Sequence, residues 1–339
     1  MASARLRDVA ERARVSIRTV SNVVNGYAPV SDVLRMRVDA AVLELGYRPN
    51  VLARNLKRGR SGMLALVVPE LDVAYFSELA RAVITYARPL GYTVVIDQTD
   101  GDAERERELV TSDSGSALFD GVILSPQAIT HEQLTATQSS TPVVLLGEKI
   151  SGGSFDCVAI DNVGAAGEAV NHLFSLGRQR VAAIGDQPYD GGETAQLRTA
   201  GYRAAHAAAG RPIDESLIVP ATHFHRHDGA AAMQYLLTAS GPRPDAVFCY
   251  SDLLALGAMR TLLSQGLRVP EDVAIIGFDD IEDGEYHTPS LTTISPDKAQ
   301  IAQVAVDSLV HRIDSGPDHH PVQLRARHAL VMRESTIGR

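Results

Sequence analysis

The chain has 339 residues, 45% of them hydrophobic, which is globular composition with apolar residues enough for two or three cores. No run approaches the roughly 18 apolar residues of a membrane span. The opening MASARLRDVAERA holds no apolar signal core, so a cytosolic protein is expected. The net charge of −9 is unevenly divided: residues 1–60 carry 12 Lys and Arg against 5 Asp and Glu, the rest 20 against 36. A basic head on an acidic body is the electrostatic layout of a nucleic-acid-binding domain joined to something else.

Leu6, Val9, Ala10 and Ala13 fall at helical spacing and make one apolar stripe on a short helix. The stripe breaks at Arg14-Val15-Ser16. The Ser16 hydroxyl suits an N-cap, so a second helix starts there. In that helix Val20, Val23 and Val24 share one face, while Ile17, Arg18, Ser21, Asn22 and Asn25 share the other. Two short helices joined by a tight turn, the second with a polar outward face, read as a helix-turn-helix shaped for a DNA major groove. A small helical hairpin packing on its own domain is the plainer alternative. After the loop Gly26–Val30, Ser31 opens a third helix with Leu34, Val38, Ala41, Val42 and Leu45 on its apolar face and Gly46 at its end. A three-helix domain over residues 1–49 is expected.

Pro49, Asn50 and Gly59 bracket two turns of good helix formers containing Arg54, Lys57 and Arg58. A helix this short is marginal alone, so residues 50–61 are expected to order on DNA. The alternative is a plain basic linker.

From Met63 onward, apolar runs of a few residues alternate with amphipathic segments. The runs are Leu64–Val68, Val94–Ile96, Val122–Leu124, Val143–Leu146, Val158–Ile160, Val181–Ile184, Leu217–Val219, Ala246–Cys249 and Val273–Ile276. Helical stretches are Phe76–Arg88, Ala165–Leu176, Ala200–Ala209, Leu254–Leu263 and Ala299–Arg312. This alternation indicates α/β architecture with parallel sheet covered by helices on both faces, and so many units fit two lobes better than one. Many strands end in a polar or small residue: Pro69, Asp97, Ser125, Gly147, Asp161, Asp186, Ser251 and Asp279. Ligands of open α/β sheets bind beyond the carboxyl ends of strands, so these ends are expected to line a cleft. Cys157 and Cys249 sit in apolar runs and read as buried thiols.

A helix-turn-helix, a basic segment and a two-lobed α/β body, in that order, resemble the LacI/GalR family of bacterial transcriptional regulators. The resemblance runs from about Leu6 to the end of the chain. It is carried by DVAERARVSIRTVSNVVNG, ELGYRPN and ARNLKRGRSG in the head. In the body it is carried by VVPEL, AIDNVGAAGEAVNHLFSLGRQRVA, RTAGYRAA, SDLLALGAM, VPEDVAIIGFDD, LTTI and LVMREST. It implies a body like that of periplasmic sugar-binding proteins over residues 62–339. The first lobe would be about 62–172 and 293–320, the second about 173–292 and 321–339. No leucine heptads close the chain, so a two-fold homodimer on a near-palindromic operator is expected.

The resemblance also implies roles. Ile17, Arg18 and Asn22 would face base edges in the major groove, with Ser16, Thr19, Ser21 and Asn25 on phosphates. Asn50, Ala53 and Leu56 would enter the central minor groove, Leu56 as the wedge that kinks a base step. Two departures stand out: Arg14 occupies a turn position where the family commonly has Gly, and Asn22 a position where it commonly has Arg. In the body Tyr75, Phe76, Arg198, Phe224, Ser251 and Asp279 would hold a small-molecule effector, a sugar or sugar derivative. Plainer roles exist for several of these: Tyr75 and Phe76 as core at a helix start, Asp279 as a strand-end cap, Arg198 as its ion-pair partner. The sign of the switch, inducer or corepressor, stays open.

His223, His225 and His227 alternate, so on a strand they would share a face, but no nearby Cys or carboxylate pair completes a site. No metal or cofactor is expected. His319 and His320 read as an exposed loop. The sequence has no GxSxG, no GxGxxG after the first strand, no P-loop and no HExxH, which argues against an enzyme. The alternatives are a purine-type corepressor-dependent regulator and, from other classes, a solute-binding protein that never meets DNA or a sugar-processing enzyme.

Overall fold

The computed structural model describes residues 4–25, 29–47, 60–110, 118–130, 132–133, 141–147, 155–189, 191–316 and 320–338. The chain divides into two compact units, Met1–Gly62 and Met63–Arg339.

The first unit holds three helices, α1 (Leu6–Ala13), α2 (Ile17–Asn25) and α3 (Asp32–Glu44). Their apolar stripes meet in one small core of Val9, Ala10, Ala13, Val20, Val23, Val38, Ala41 and Tyr47. The turn after α1 is made by Arg14, which takes a left-handed conformation (φ 50°, ψ 50°). A side chain there costs about 1 kcal/mol. Fully burying Val9, Val20 and Val38 returns about 1.5–3 kcal/mol each, so the core outweighs the strain. Arg37 of α3 fastens the same turn, donating to the carbonyl oxygens of Ala13 (2.6 Å) and Arg14 (3.2 Å).

The second unit begins with β1 (Met63–Val68), α4 (Ala74–Ala87), β2 (Thr93–Gln98), α5 (Ala103–Val110), β3 (Gly121–Leu124), β4 (Val143–Leu146) and β5 (Asp156–Ala159). Then come α6 (Asn162–Ser175), β6 (Val181–Asp186), α7 (Glu193–Ala208), β7 (Ile218–Pro220), α8 (Arg226–Thr238), β8 (Ala246–Cys249), α9 (Asp252–Ser264) and β9 (Ala274–Phe278). The chain closes with α10 (Glu282–Glu285), β10 (Thr292–Pro296), α11 (Lys298–Ser315), β11 (Gln323–Arg325), β12 (His328–Val331) and α12 (Glu334–Ile337).

The strands form two six-stranded sheets, ordered β11-β5-β4-β3-β1-β2 and β12-β10-β9-β8-β6-β7. The first is parallel throughout, and in the second only β12 runs antiparallel, against β10. Strands β1, β3, β4, β8 and β9 are apolar along their whole length because helices cover both faces. Each of the nine apolar runs of the sequence overlaps one of β1–β9, with Ile160, Leu217 and Val273 falling just outside their strands.

The lobe crossings differ from the expected positions. Helix α6 packs on α7, β12 and β10, so it belongs to the second lobe and the first crossing falls near Ile160 rather than at 172. Strand β10 pairs with β9 and stays in the second lobe. The crossing follows it, before α11 packs on α4 and β3 of the first lobe. Strand β11 pairs with β5, so residues 323–325 complete the first sheet rather than starting the last segment of the second. Pairing decides the two strand cases, because a strand satisfies its backbone groups only beside a neighbour. Cys157 and Cys249 are both buried thiols, as expected. Among the described residues no helix is long and apolar enough to cross a membrane.

Candidate functional site

On the first unit, Ser16 caps α2: its hydroxyl accepts from the Thr19 backbone N–H at 3.0 Å and shares a 2.8 Å hydrogen bond with the Thr19 hydroxyl. This sets the helix start, so Val20 and Val23 turn inward. Arg18 is exposed, Ile17 is 50% exposed, and Ser21 and Asn22 are partly exposed. An exposed aliphatic side chain thus stands beside Arg and Asn on the face of α2 opposite Val20 and Val23. Asn25 ends α2. Asn50, Ala53 and Leu56 lie outside the described residues.

On the second unit the carboxyl ends of both sheets face a cleft of about 210 Å³ between the lobes, and Tyr75, Phe76, Arg198, Phe224, Ser251 and Asp279 all line it. Close helix packing puts them there. A Cβ on Gly201 of α7 would lie 2.3 Å from the Val163 carbonyl oxygen of α6, so only glycine allows this approach. One turn before Gly201, Arg198 therefore reaches Asn162, donating from Nε to Oδ1 at 2.8 Å. Its Nη1 donates to the Tyr250 carbonyl oxygen. Its guanidinium lies over the Phe278 ring, 3.5 Å from the centroid. These contacts lock the plane of a buried cation whose fork opens on the cleft. Helices α8 and α9 are clamped in the same way: a Cβ on Gly229 would sit 2.0 Å from the Leu254 carbonyl oxygen. That clamp places Phe224 and His225 beside Ser251.

Asp279 directly follows β9 with φ 115°, a conformation that residues with side chains rarely adopt. Its neighbours over-determine it. Buried Asp252 holds the turn beneath, accepting from Thr293 Oγ1 at 2.6 Å and from the Ile281 N–H at 2.9 Å. Arg333 and Ser295 hold Asp280, each at 2.8 Å. Asp279 itself is left facing the cleft. Burial raises its pKa to about 6, with Arg198 and Lys298 pulling it back down and Glu78 pushing it up. Burial, and then the charge of Asp279, push the Tyr75 phenol well above its ordinary range, so it stays a neutral hydroxyl.

Contacts cross the cleft at several points. Leu253, Leu256 and Ile281 of the second lobe pack on Val73, Ala74 and Tyr75 of the first. Glu78 Oε1 of the first lobe accepts from the Glu282 N–H of the second at 3.0 Å, while Glu78 Oε2 pairs within its own lobe with Lys298 Nζ at 2.8 Å. His225 Nε2 stands 2.5 Å from Glu70 Oε2.

Residues 5–50 match the profile of the bacterial regulatory proteins of the lacI family, and residues 170–336 match that of a periplasmic binding protein-like domain. The ribose operon repressor of Escherichia coli (strain K12) is 35% identical over 315 residues, which is 91% of this chain and 93% of that one. This chain belongs to the LacI family.

Among solved structures, the LacI-family regulator resembles a putative transcriptional regulator of the same family from Sanguibacter keddieii DSM 10542. That match has 43% identity and TM-score 0.76, over 83% of this chain and 100% of that one. It also resembles the lac repressor dimer bound to operator and the anti-inducer ONPF, with 27% identity and TM-score 0.83 over 99% of both chains. The LacI-family chain is a DNA-binding transcriptional regulator with a periplasmic-binding-like body.

Within this LacI-family body, the six expected cleft residues come together, but their work is divided. The Ser251 hydroxyl is committed to capping α9, accepting from the Leu254 N–H at 3.1 Å. Tyr75 and Phe76 pack edge to face at 5.3 Å and lean on the core while also lining the cleft. Of the expected strand ends, Pro69, Ser125, Gly147, Ser251 and Asp279 line the cleft. Asp97, Asp161 and Asp186 are not among its lining residues, because each is spent locally. Asp97 pairs with Arg105, Asp161 caps α6 through the Gly164 N–H, and Asp186 accepts from Thr199.

The sequence reading missed Asn162, Gln127, Gln187, Glu193 and Glu70 in the lining. Asn162 directly follows the strand-end Asp161, and that adjacency was the available signal. Gln127 depends on a residue far away in the chain: buried Glu106 of α5 accepts from the N–H groups of Gln127, Ala128 and Ile129 at 2.8–3.0 Å and so shapes the loop after β3.

Proposed function

We infer that this regulator is a repressor whose operator affinity is set by a small molecule, a sugar or sugar derivative, held between the lobes and not turned over there. The observation that carries the reading is the meeting of a fixed guanidinium, Arg198, and a cleft-facing carboxylate, Asp279, in a cleft that also presents the apolar surfaces of Phe76, Leu79 and Phe224. A polyhydroxylated ligand presents donors and acceptors on its edges and C–H groups on its faces. Arg198 supplies donors, Asp279 accepts two hydroxyl protons, and Phe76 and Phe224 offer apolar surface. The name of the ribose operon repressor among its relatives supports a sugar in this role.

The head acts as a two-fold dimer on a near-palindromic operator. Arg18 bonds bidentately to guanine, Asn22 pairs with adenine and Ile17 touches a thymine methyl. Ser16, Thr19, Ser21 and Asn25 hold phosphates, while Asn50, Ala53 and Leu56 enter the central minor groove. The lac repressor dimer on its operator supports this arrangement. The regulator works in the cytoplasm, where its operator is.

The switch is a difference in affinity. A ligand that touches both sides of the cleft favours one lobe arrangement, and it changes operator binding only by its preference between the DNA-competent and DNA-incompetent states.

A thermal-shift screen of the full chain against pentoses, hexoses, disaccharides, sugar phosphates and purines tests the reading. Ligand at about 100 times its Kd adds roughly 2.7 kcal/mol of stability. A sugar should raise the melting temperature, and Asp279→Asn should reduce the rise. A purine hit in place of sugars would move the reading to a purine-dependent regulator. Conversion of the sugar to a product would overturn it.

A further inference from the structure

Three imidazoles stand in a row beside the cleft. The His223 and His225 rings are near-parallel (15°) with centroids 5.4 Å apart, and the His225 and His227 centroids are also 5.4 Å apart. The expectation of a shared strand face fails, because α8 begins at Arg226 and no strand runs through the segment. His225 instead occupies the N-cap of α8 and His227 its first turn, which keeps the rings together.

The fold also supplies the carboxylates that the sequence did not place. Asp228 Oδ2 lies 3.3 Å from His227 Nε2. One ligand atom each from His225, His227 and Asp228 falls within 4.8 Å of the others. From the end of β1, on the other lobe, Glu70 brings Oε2 to 2.5 Å from His225 Nε2.

We propose that His225, His227 and Asp228, with Glu70 from across the cleft, form a binding site for a divalent transition-metal ion of the zinc class that ties the two lobes together. Two imidazole nitrogens and two carboxylate oxygens are a zinc donor set, whereas calcium and magnesium prefer oxygen alone. Around a tetrahedral ion with bonds of about 2.0–2.1 Å, neighbouring ligand atoms stand roughly 3.3 Å apart. The His227–Asp228 pair already has that spacing. The His225–Glu70 pair opens slightly to admit the ion, and the 73% exposed His227 side chain turns inward. Glu70 and Asp228 together balance the charge of a dication. Three ligands come from the second lobe and one from the first, so the ion stabilises the lobe arrangement in which all four meet. It is a second input to the same cleft motion that the effector uses.

The test uses tag-free, full-length protein stripped with EDTA and titrated with Zn²⁺ against a chromophoric chelator. One ion per chain is expected. His227→Ala, at an exposed position outside the core, should weaken binding at least about 10-fold, and Glu70→Gln about 10-fold. Zn²⁺ should also slow amide exchange in two separate segments, residues 69–71 and 223–229. No stoichiometric binding, or unchanged affinity in His227→Ala, overturns the site. Unchanged affinity in Glu70→Gln, or protection confined to 223–229, overturns its bridging of the lobes.

Discussion

Lys298 Nζ donates to the carbonyl oxygen of Asp279 at 2.5 Å, joining the first turn of a first-lobe helix to the strained strand end of the second lobe. The same ammonium reaches the Asp280 carbonyl oxygen at 2.8 Å and Glu78 Oε2 at 2.8 Å. Asp279 and Asp280 both have positive φ, 115° and 51°, and Lys298 adds to the contacts from Asp252, Arg333 and Ser295 that hold this backbone. Lys298→Met keeps the aliphatic stem and removes the charge. It should lower stability by about 1–3 kcal/mol, the cost of losing partly buried charge-assisted hydrogen bonds. Urea unfolding of the full chain measures this, and it should also weaken effector binding.

Asp279 makes ligand binding depend on pH. Its pKa in the folded protein is raised to about 6 by burial, so below that value it is largely protonated and accepts hydroxyl donors poorly. Affinity for a polyhydroxylated effector should therefore rise between pH 5 and pH 7.5. Stability runs the other way. A carboxyl whose folded pKa lies above its unfolded value contributes stability below the unfolded pKa and loses it as pH rises through about 6. Asp279→Asn should flatten both dependences. Calorimetric titration at the two pH values, with wild type and variant, separates this account from one in which Asp279 is only a strand cap.

Gly201 is the point where α6 and α7 meet. An added Cβ would stand 2.3 Å from the Val163 carbonyl oxygen and 2.7 Å from the Ala166 Cβ, so the helices must part. Gly201→Ala should cost about 1–3 kcal/mol, the usual range for overpacking. It should also disturb the 2.8 Å bond between Arg198 and Asn162. Loss of effector affinity beyond the loss of stability, read by calorimetry on the folded variant, is the expected result.

Much of this architecture was legible because burial on both faces writes strands as unbroken apolar runs, as in Val143–Leu146 and Ala246–Cys249. Strands β10–β12 escaped for the opposite reason. Gln323–Arg325 is an exposed edge whose pairing with β5 leaves no periodic mark, and Thr292–Pro296 buries two threonines through hydrogen bonds rather than apolar contact. Helix α5 was hidden because the side chain that anchors it is Glu106, a buried carboxylate that organises a distant loop. The cleft residues were found through a family resemblance and not through periodicity. Glu70 and Asn162 were missed because each acts by reaching a partner from another element, a relation that exists only in the fold.

Arg18 is exposed on the outward face of a helix whose opposite face is fixed by Val20 and Val23. Arg18→Ala should leave stability unchanged, weaken operator binding by about 1–3 kcal/mol and relax selection at one base position. Selection from a random duplex pool by wild type and variant reads this out. An unchanged preference would assign Arg18 to phosphates.

The central claim is that one ligand in the cleft and one operator at the head are thermodynamically coupled. The direct measurement is the affinity of the full chain for its screened effector, with and without a saturating operator duplex selected by the same protein. The account predicts a change of roughly 5–150-fold, matched by an equal change in operator affinity when the effector is saturating. Identical effector affinity in the two conditions would contradict it.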